Sequence, residues 1–184
     1  MGRRGMRYIH AMPDERSLEP ITRVDLKRLA RIAGADRADF FSRHPEFAIL
    51  YGRRLLCAAL GGEAALHYLN GLTGVSHFSV WSFYAEHPEA PFPFRQPGRA
   101  DFGASKFGRA SHAPQGYAGR RVELRGRSID AAPGDDPVEA LQRYLKAGAT
   151  RSARELAGQA VVLIEPESAL GAQVWPTLAL PSAR

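Results

Sequence analysis

The most constraining feature of this chain is residues 75–84, a run in which polar residues alternate with β-branched and aromatic ones. Such alternation predicts a β-strand. A continuous apolar run at residues 55–60 is compatible with a buried strand or a helix, and periodicity does not decide between them. Residues 120–129 and 160–164 predict two further strands. The chain is therefore expected to fold around one central sheet.

Two helices are predicted near the N-terminus. Thr22 and Asp25 have the spacing of a capping box, in which each residue satisfies a backbone or side-chain donor of the other. The apolar residues that follow recur at helical spacing as far as Gly34, a typical helix stop. A second, shorter helix is expected at residues 38–43, ending before Pro45. These two segments form a predicted helical pair.

Helices alternate with strands along the rest of the chain. The double glycine at 61–62 opens one helix, and two more are predicted between Asp136, a typical N-cap, and Gly158. This order predicts an α/β (α+β) fold with a central mixed sheet flanked by helices. We expect two parts: an N-terminal arm and helical pair at residues 1–46, and a main domain at residues 47–184.

The composition is that of a folded globular protein, with 45% hydrophobic and 24% charged residues. No apolar run reaches the length that would span a bilayer, so no membrane partner is expected. The single cysteine, Cys57, lies in an apolar run, which favours a core residue over a nucleophile. Because one cysteine forms no internal disulfide, a cytoplasmic location is expected. The net charge of +6 comes mainly from arginine and makes the protein basic. Such a charge suits an anionic partner, but a genome rich in G and C produces the same surplus.

A double glycine that opens a helix, a following strand, and Glu123 on a later strand together resemble the nucleotidyltransferase superfamily. In that family the first strand carries two acids two residues apart, and the later strand carries a third. The resemblance covers residues 55–124 and implies a nucleotidyltransferase-like domain over residues 47–184. It implies a nucleotide whose phosphates lie against backbone N–H groups at the helix start. It also implies Mg²⁺ as the cofactor, bound by the carboxylates.

His77 and Ser79 stand where this family has its paired acids. Residues two apart on a strand point to the same face, so this pair would face the metal. Because an imidazole and a hydroxyl supply no negative charge, they argue against Mg²⁺ binding and against phosphoryl transfer. The resemblance therefore implies a catalytically degenerate protein, or pseudoenzyme, with His77, Ser79 and Glu123 at the former catalytic positions.

Residues 103–109 supply candidate contacts to an anion. Lys106 and Arg109 lie there among small residues, which let backbone and cations approach a phosphate together. With Gly61, Gly62 and Arg121 they form the predicted ligand-binding set for a nucleotide or nucleic acid. Residues 105–109 also resemble an element of uncharacterised bacterial proteins, which implies no activity.

Several alternatives stay open. The double glycine is equally typical of a tight turn, His77 of a hydrogen-bonded sheet histidine, and Glu123 of an ion-pair partner. An active nucleotidyltransferase with rearranged acids would use others, such as Glu63 or Glu86. A protein-interaction module would use the helical pair to bind a protein partner.

Overall fold

The computed structural model describes residues 15–176. Its five α-helices are α1 (Arg23–Arg43), α2 (Pro45–Tyr51), α3 (Gly62–Asn70), α4 (Pro137–Ala147) and α5 (Arg151–Ala157). Its strands are β1 (Leu55–Gly61), β2 (Phe78–Ala85), β3 (Gly98–Asp101), β4 (Arg121–Ile129), β5 (Val161–Glu165) and β6 (Gln173–Trp175), with a short 3₁₀ helix at Glu167–Ala169. The expectation of a mixed α/β fold is confirmed.

The strands form one six-stranded sheet in the order β3-β4-β2-β1-β5-β6. Strands β2 and β4 run parallel, and every other neighbouring pair is antiparallel. The apolar run at residues 55–60 is therefore a strand, and it lies buried between β2 and β5. Its lack of period-two alternation follows from helices that cover both faces of the sheet.

The two faces of the sheet carry separate cores. Leu26 and Leu29 of α1 pack with Phe78, Val80 and neighbouring residues on one face. The other face packs against α4 and α5, whose contributions include Leu141 and Leu156, beside Trp81 and Phe83 of β2. Odd-numbered residues of β2 and β4 therefore face the α4–α5 side, which decides where polar residues of these strands can meet.

The N-terminal helical pair is present, but its boundaries differ from the prediction. The capping box of Thr22 and Asp25 is confirmed, with the Thr22 N–H donating to Asp25 Oδ2 at 2.7 Å. Gly34 does not end the helix, because α1 continues to Arg43. A glycine inside a helix costs about 1 kcal/mol, whereas the continued helix buries Phe40 in a cluster with Tyr51, Tyr84 and Phe92. The separate helix predicted at residues 38–43 is wrong, because these residues form the last part of α1; the second helix of the pair is α2, which begins at Pro45.

A long Pro- and Gly-rich segment connects β2 to β4 and contains β3. Asp101 organises its second half by accepting hydrogen bonds from the N–H groups of Gly103, Ala118 and Gly119. Burial alone would raise the pKa of Asp101. The three hydrogen bonds and the nearby Arg28 together outweigh that effect, so the pKa lies below its usual value. The segment is therefore held by its own carboxylate rather than by regular structure.

Candidate functional site

Three of the residues predicted for the site lie in one row across the centre of the sheet. Gly61 at the end of β1 is paired with Ser79 of β2, and Ser79 is paired with Glu123 of β4. His77 directly precedes β2, two residues before Ser79. The antiparallel β1–β2 pair and the parallel β2–β4 pair bring together positions that are 62 residues apart in sequence (61 to 123).

This row forms the floor of a pocket of about 290 Å³, which we call the glycine pocket. It is lined by Gly61, Gly62, Glu63, Ala64, His77, Ser79, Trp81, Glu123, Arg125, Glu155, Leu156 and Gln159. Five of the predicted site residues line the pocket: Gly61, Gly62, His77, Ser79 and Glu123. They come from the double glycine, the first strand and the later strand of the predicted motif. The pocket lies on the sheet face that α4 and α5 cover, at the C-terminal end of α5.

Glu123 is paired with two arginines inside this arrangement. Its side chain is 17% exposed, and its carboxylate oxygens lie 3.1 Å from Arg121 Nη2 and 3.4 Å from Arg125 Nη2. Arg125 in turn stacks over the Trp81 ring, with its Cζ 5.1 Å from the ring centroid. The interpretation of Glu123 as an ion-pair partner is thus confirmed, and its negative charge is neutralised within β4 itself.

His77 and Ser79 are polar but uncharged at neutral pH. Ser79 Oγ accepts a hydrogen bond from Trp81 Nε1 at 3.1 Å, and His77 Nδ1 lies 3.0 Å from Ser76 Oγ. Burial lowers the pKa of His77 and outweighs the opposing effect of the Glu123 charge. His77 is therefore a neutral imidazole at pH 7, and neither His77 nor Ser79 carries a charge.

The start of α3 forms the wall opposite β4. Gly62 has a φ of 75°, in the left-handed region that favours glycine, and its N–H donates to the Ala160 carbonyl at 3.0 Å. No side chain caps this helix, so the next N–H groups of the first turn, at Glu63 and Ala64, have no side-chain acceptor at the N-cap. The glycine at 61 also lets Leu156 approach, because a Cβ there would lie 2.6 Å from Leu156 Cδ2.

Six residues of the pocket were not identified from the sequence: Ala64, Trp81, Arg125, Glu155, Leu156 and Gln159. Glu155 and Gln159 reach the pocket from α5 and the turn after it, about thirty residues beyond Glu123. No local pattern around them distinguishes them from other exposed polar residues. Glu63, suggested as an alternative acid, does line the pocket and is 3.2 Å from Arg16.

The two cations of the basic loop lie elsewhere. Lys106 Nζ is 2.9 Å from Asp25 Oδ2 on α1, and exposed Arg109 donates to the Ala113 carbonyl at 3.3 Å. Neither residue lines the glycine pocket. Phe107, in the same loop, is buried against Phe78 and Phe102. The structure therefore separates this loop from the predicted glycine, histidine and serine residues, while Arg121 stays beside them through Glu123.

Residues 15–176 contain no group of three or more His, Cys, Asp or Glu side chains arranged to hold a metal ion. None of the helices in the same range is long and apolar enough to cross a membrane.

Comparisons with protein-family models, curated proteins and solved structures found no match to this chain. The likeness to nucleotidyltransferases accordingly stays a prediction from the sequence motif. The arrangement of the glycine pocket is the basis on which its function can be argued.

Proposed function

We propose that this chain is a catalytically degenerate nucleotidyltransferase-like protein that binds a nucleotide, or another phosphate-bearing ligand, in the glycine pocket. The observation that carries the proposal is the single row of Gly61, Ser79 and Glu123 across three neighbouring strands. A family motif would require these three positions to meet at one pocket, since they would surround one ligand. A chance resemblance would have no reason to bring them together.

The chemistry of the pocket suits a phosphate at the start of α3. The uncapped N–H groups of the first turn point toward the helix N-terminus, where the helix dipole favours an anion. Arg125 lines the same pocket, and its Nε has no hydrogen-bond partner in residues 15–176. A phosphate here would gain contacts from backbone donors and from one guanidinium.

The donors at the former acid positions do not fit Mg²⁺. This ion prefers oxygen ligands that carry negative charge. In the row of Gly61, Ser79 and Glu123, only Glu123 has a carboxylate. Its carboxylate is already engaged by Arg121 and Arg125. Ligand binding is accordingly expected to be independent of Mg²⁺, with the arginine supplying the charge that a metal supplies in the family.

An active enzyme with rearranged acids is the second candidate. Glu63 and Glu155 both line the pocket and supply carboxylates near the ligand. Glu86, the other acid considered, does not line it. In this case the two glutamates would have to move toward one ion, and activity would depend on Mg²⁺.

Isothermal titration with ATP, GTP, CTP and UTP, each with and without Mg²⁺, tests the proposal. We expect binding of at least one nucleotide without Mg²⁺. Ser79→Leu, which fills the floor of the pocket, should weaken it at least about tenfold, equivalent to about 1.4 kcal/mol. Ser42→Leu is the matched control, because Ser42 is exposed on α1. Melting curves of both variants verify that they fold.

The other outcomes separate the candidates. Binding that requires Mg²⁺, together with a labelled product that disappears in Glu123→Gln, would favour the active enzyme. Absence of binding by all four nucleotides, or equal binding by Ser79→Leu and the wild type, would refute a nucleotide site in this pocket.

A further inference from the structure

Arg127 of β4 is held by hydroxyl groups instead of acids. Its Nη1 donates to Tyr144 Oη and Thr150 Oγ1, each at 2.8 Å, and also to Ser152 Oγ. Tyr144 Oη and Thr150 Oγ1 are themselves 2.8 Å apart. No acid in residues 15–176 forms an ion pair with Arg127, in contrast to Arg121 and Arg125 on the same strand. Its positive charge is therefore not neutralised by its neighbours.

The guanidinium is nevertheless fixed in position. Strand β4 carries Arg127 opposite Phe83, while α4 supplies Tyr144 and α5 supplies Ser152. The three hydroxyl oxygens share the two hydrogens of the same nitrogen, Nη1, while Nε and Nη2 form no hydrogen bond to another residue of the described chain. Two parallel N–H donors of an arginine are the geometry that binds an oxyanion through two oxygens.

Arg127 lines a second cavity, of about 430 Å³, which we call the arginine pocket. One wall consists of Pro91, Phe92, Pro93 and Phe94 from the segment after β2, and the floor includes Arg125, Ser128 and Ser152. Phe94 is 92% exposed, an unusual position for a phenyl ring. The arginine pocket shares Trp81 and Arg125 with the glycine pocket but lies on their other side.

The polar groups of this pocket favour a tetrahedral oxyanion. The half-buried guanidinium of Arg127 has lost part of its hydration and has no counter-ion in the described chain. An anion at Nε and Nη2 would compensate for the lost hydration. Ser152 Oγ accepts from Arg127, which leaves its own hydrogen free to donate to an anion. Arg125 lies in the same cavity and is paired with Glu123, and Glu86 is the one acid of the lining, so Arg127 is the cation of the cavity that has no carboxylate partner among residues 15–176. A phosphate has enough oxygens to use all of these donors, whereas a carboxylate has two.

We propose that the arginine pocket binds an organic phosphate monoester, with its phosphate at Arg127 and its apolar or aromatic group against Phe94. This site does not depend on the function proposed for the glycine pocket. It is carried by an uncompensated, hydroxyl-fixed arginine and an exposed aromatic wall in one cavity.

Titration calorimetry with phenyl phosphate and with inorganic phosphate tests this assignment. The wild type is expected to bind both, and phenyl phosphate more tightly. Arg127→Met should weaken both at least about tenfold, the size of one hydrogen bond to a charged group. Phe94→Ala, which removes an exposed side chain and keeps the fold, should weaken phenyl phosphate several-fold and leave inorganic phosphate unchanged. Arg143→Met is the matched control, since Arg143 pairs with Asp135 on the exposed side of α4.

The Ser79→Leu variant distinguishes this site from the glycine pocket, because Ser79 does not line the arginine pocket. Unchanged phenyl phosphate binding by this variant supports a separate site, and loss of that binding would overturn it. Failure of the wild type to bind either phosphate, or equal binding by Arg127→Met, would also overturn it. If Arg127→Met does not fold, Arg127→Lys replaces it, since a lysine keeps the charge and loses the paired donors.

Discussion

The ion pair between Asp36 of α1 and Arg95 joins the N-terminal helix to the segment that walls the arginine pocket. Arg95 Nη1 lies 3.3 Å from Asp36 Oδ1, and Nη2 contacts Oδ2, so the contact is a fork of two hydrogen bonds. The two side chains are 16% and 15% exposed. Arg95 also stacks over the Phe40 ring, with its Cζ 4.9 Å from the centroid. Removal of one partner of this pair should therefore destabilise the protein far more than removal of one partner of a surface ion pair.

The magnitude follows from this geometry. Two unit charges about 3 Å apart attract by about 5 kcal/mol at an effective dielectric constant near 20, and desolvation offsets part of that attraction. Removal of one partner leaves the other charge mostly buried and unpaired. Asp36→Ala is thus expected to lower the free energy of unfolding by about 3 kcal/mol. Arg95→Met, which keeps most of the side-chain volume, should lower it by about 2–3 kcal/mol, and the double variant by much less than the sum.

Urea denaturation of the wild type, the two single variants and the double variant measures this coupling. We expect a coupling energy of about 2 kcal/mol, within the range of residues that share one network. The pair Arg43 and Asp39 on α1 is the internal control, because both side chains are 62% exposed and a coupling below about 0.5 kcal/mol is typical of such pairs. A coupling for Asp36 and Arg95 no larger than this control would refute the reasoning.

Three further predictions use other parts of the structure. Since burial lowers the pKa of His77, the unfolded chain binds a proton there first, and stability is lost as pH falls from about 6.5 through the folded pKa; urea denaturation at pH 7.5 and 5 should show a smaller loss in His77→Gln, and equal losses would contradict this. Asp136→Ala removes the 2.9 Å hydrogen bond from the Glu139 N–H and should cost about 1 kcal/mol, measured against Asp136→Asn, which keeps an acceptor; no difference between the two variants would count against the cap. Burial raises the pKa of Cys57 to about 12, so a thiol reagent should label it only in denaturant, and rapid labelling of the native protein would disprove this.

Much of the local structure could be predicted from the sequence. The caps at Thr22 and Asp136 were identified correctly because a cap is a contact between residues three positions apart. The strand at residues 75–84 was recognised from its side chains, although the regular strand begins only at Phe78. The end of α1 was wrong, because Gly34 stops a helix only where packing beyond it does not compensate its cost.

The candidate site divides in the same way. That His77 and Ser79 share one face followed from their spacing, and the glycines at 61–62 were correctly assigned to a helix start. Their meeting with Glu123 required the parallel pairing of β2 with β4, which no local pattern encodes. Lys106 and Arg109 looked equally suitable as ligand contacts, but the loop turns them toward α1 and solvent.

The sequence by itself determined most of the helices and strands, most helix ends, and which residues of a strand point the same way, but it left β1 undecided and did not predict α2, β3 or β6. These properties depend on neighbours within about four residues, so the chain carries them wherever it folds. Only the tertiary structure decided the strand order, the neutralisation of Glu123 by two arginines, and the isolation of Arg127 among hydroxyls. Those depend on contacts between distant residues, whose partners are chosen by how the whole core packs.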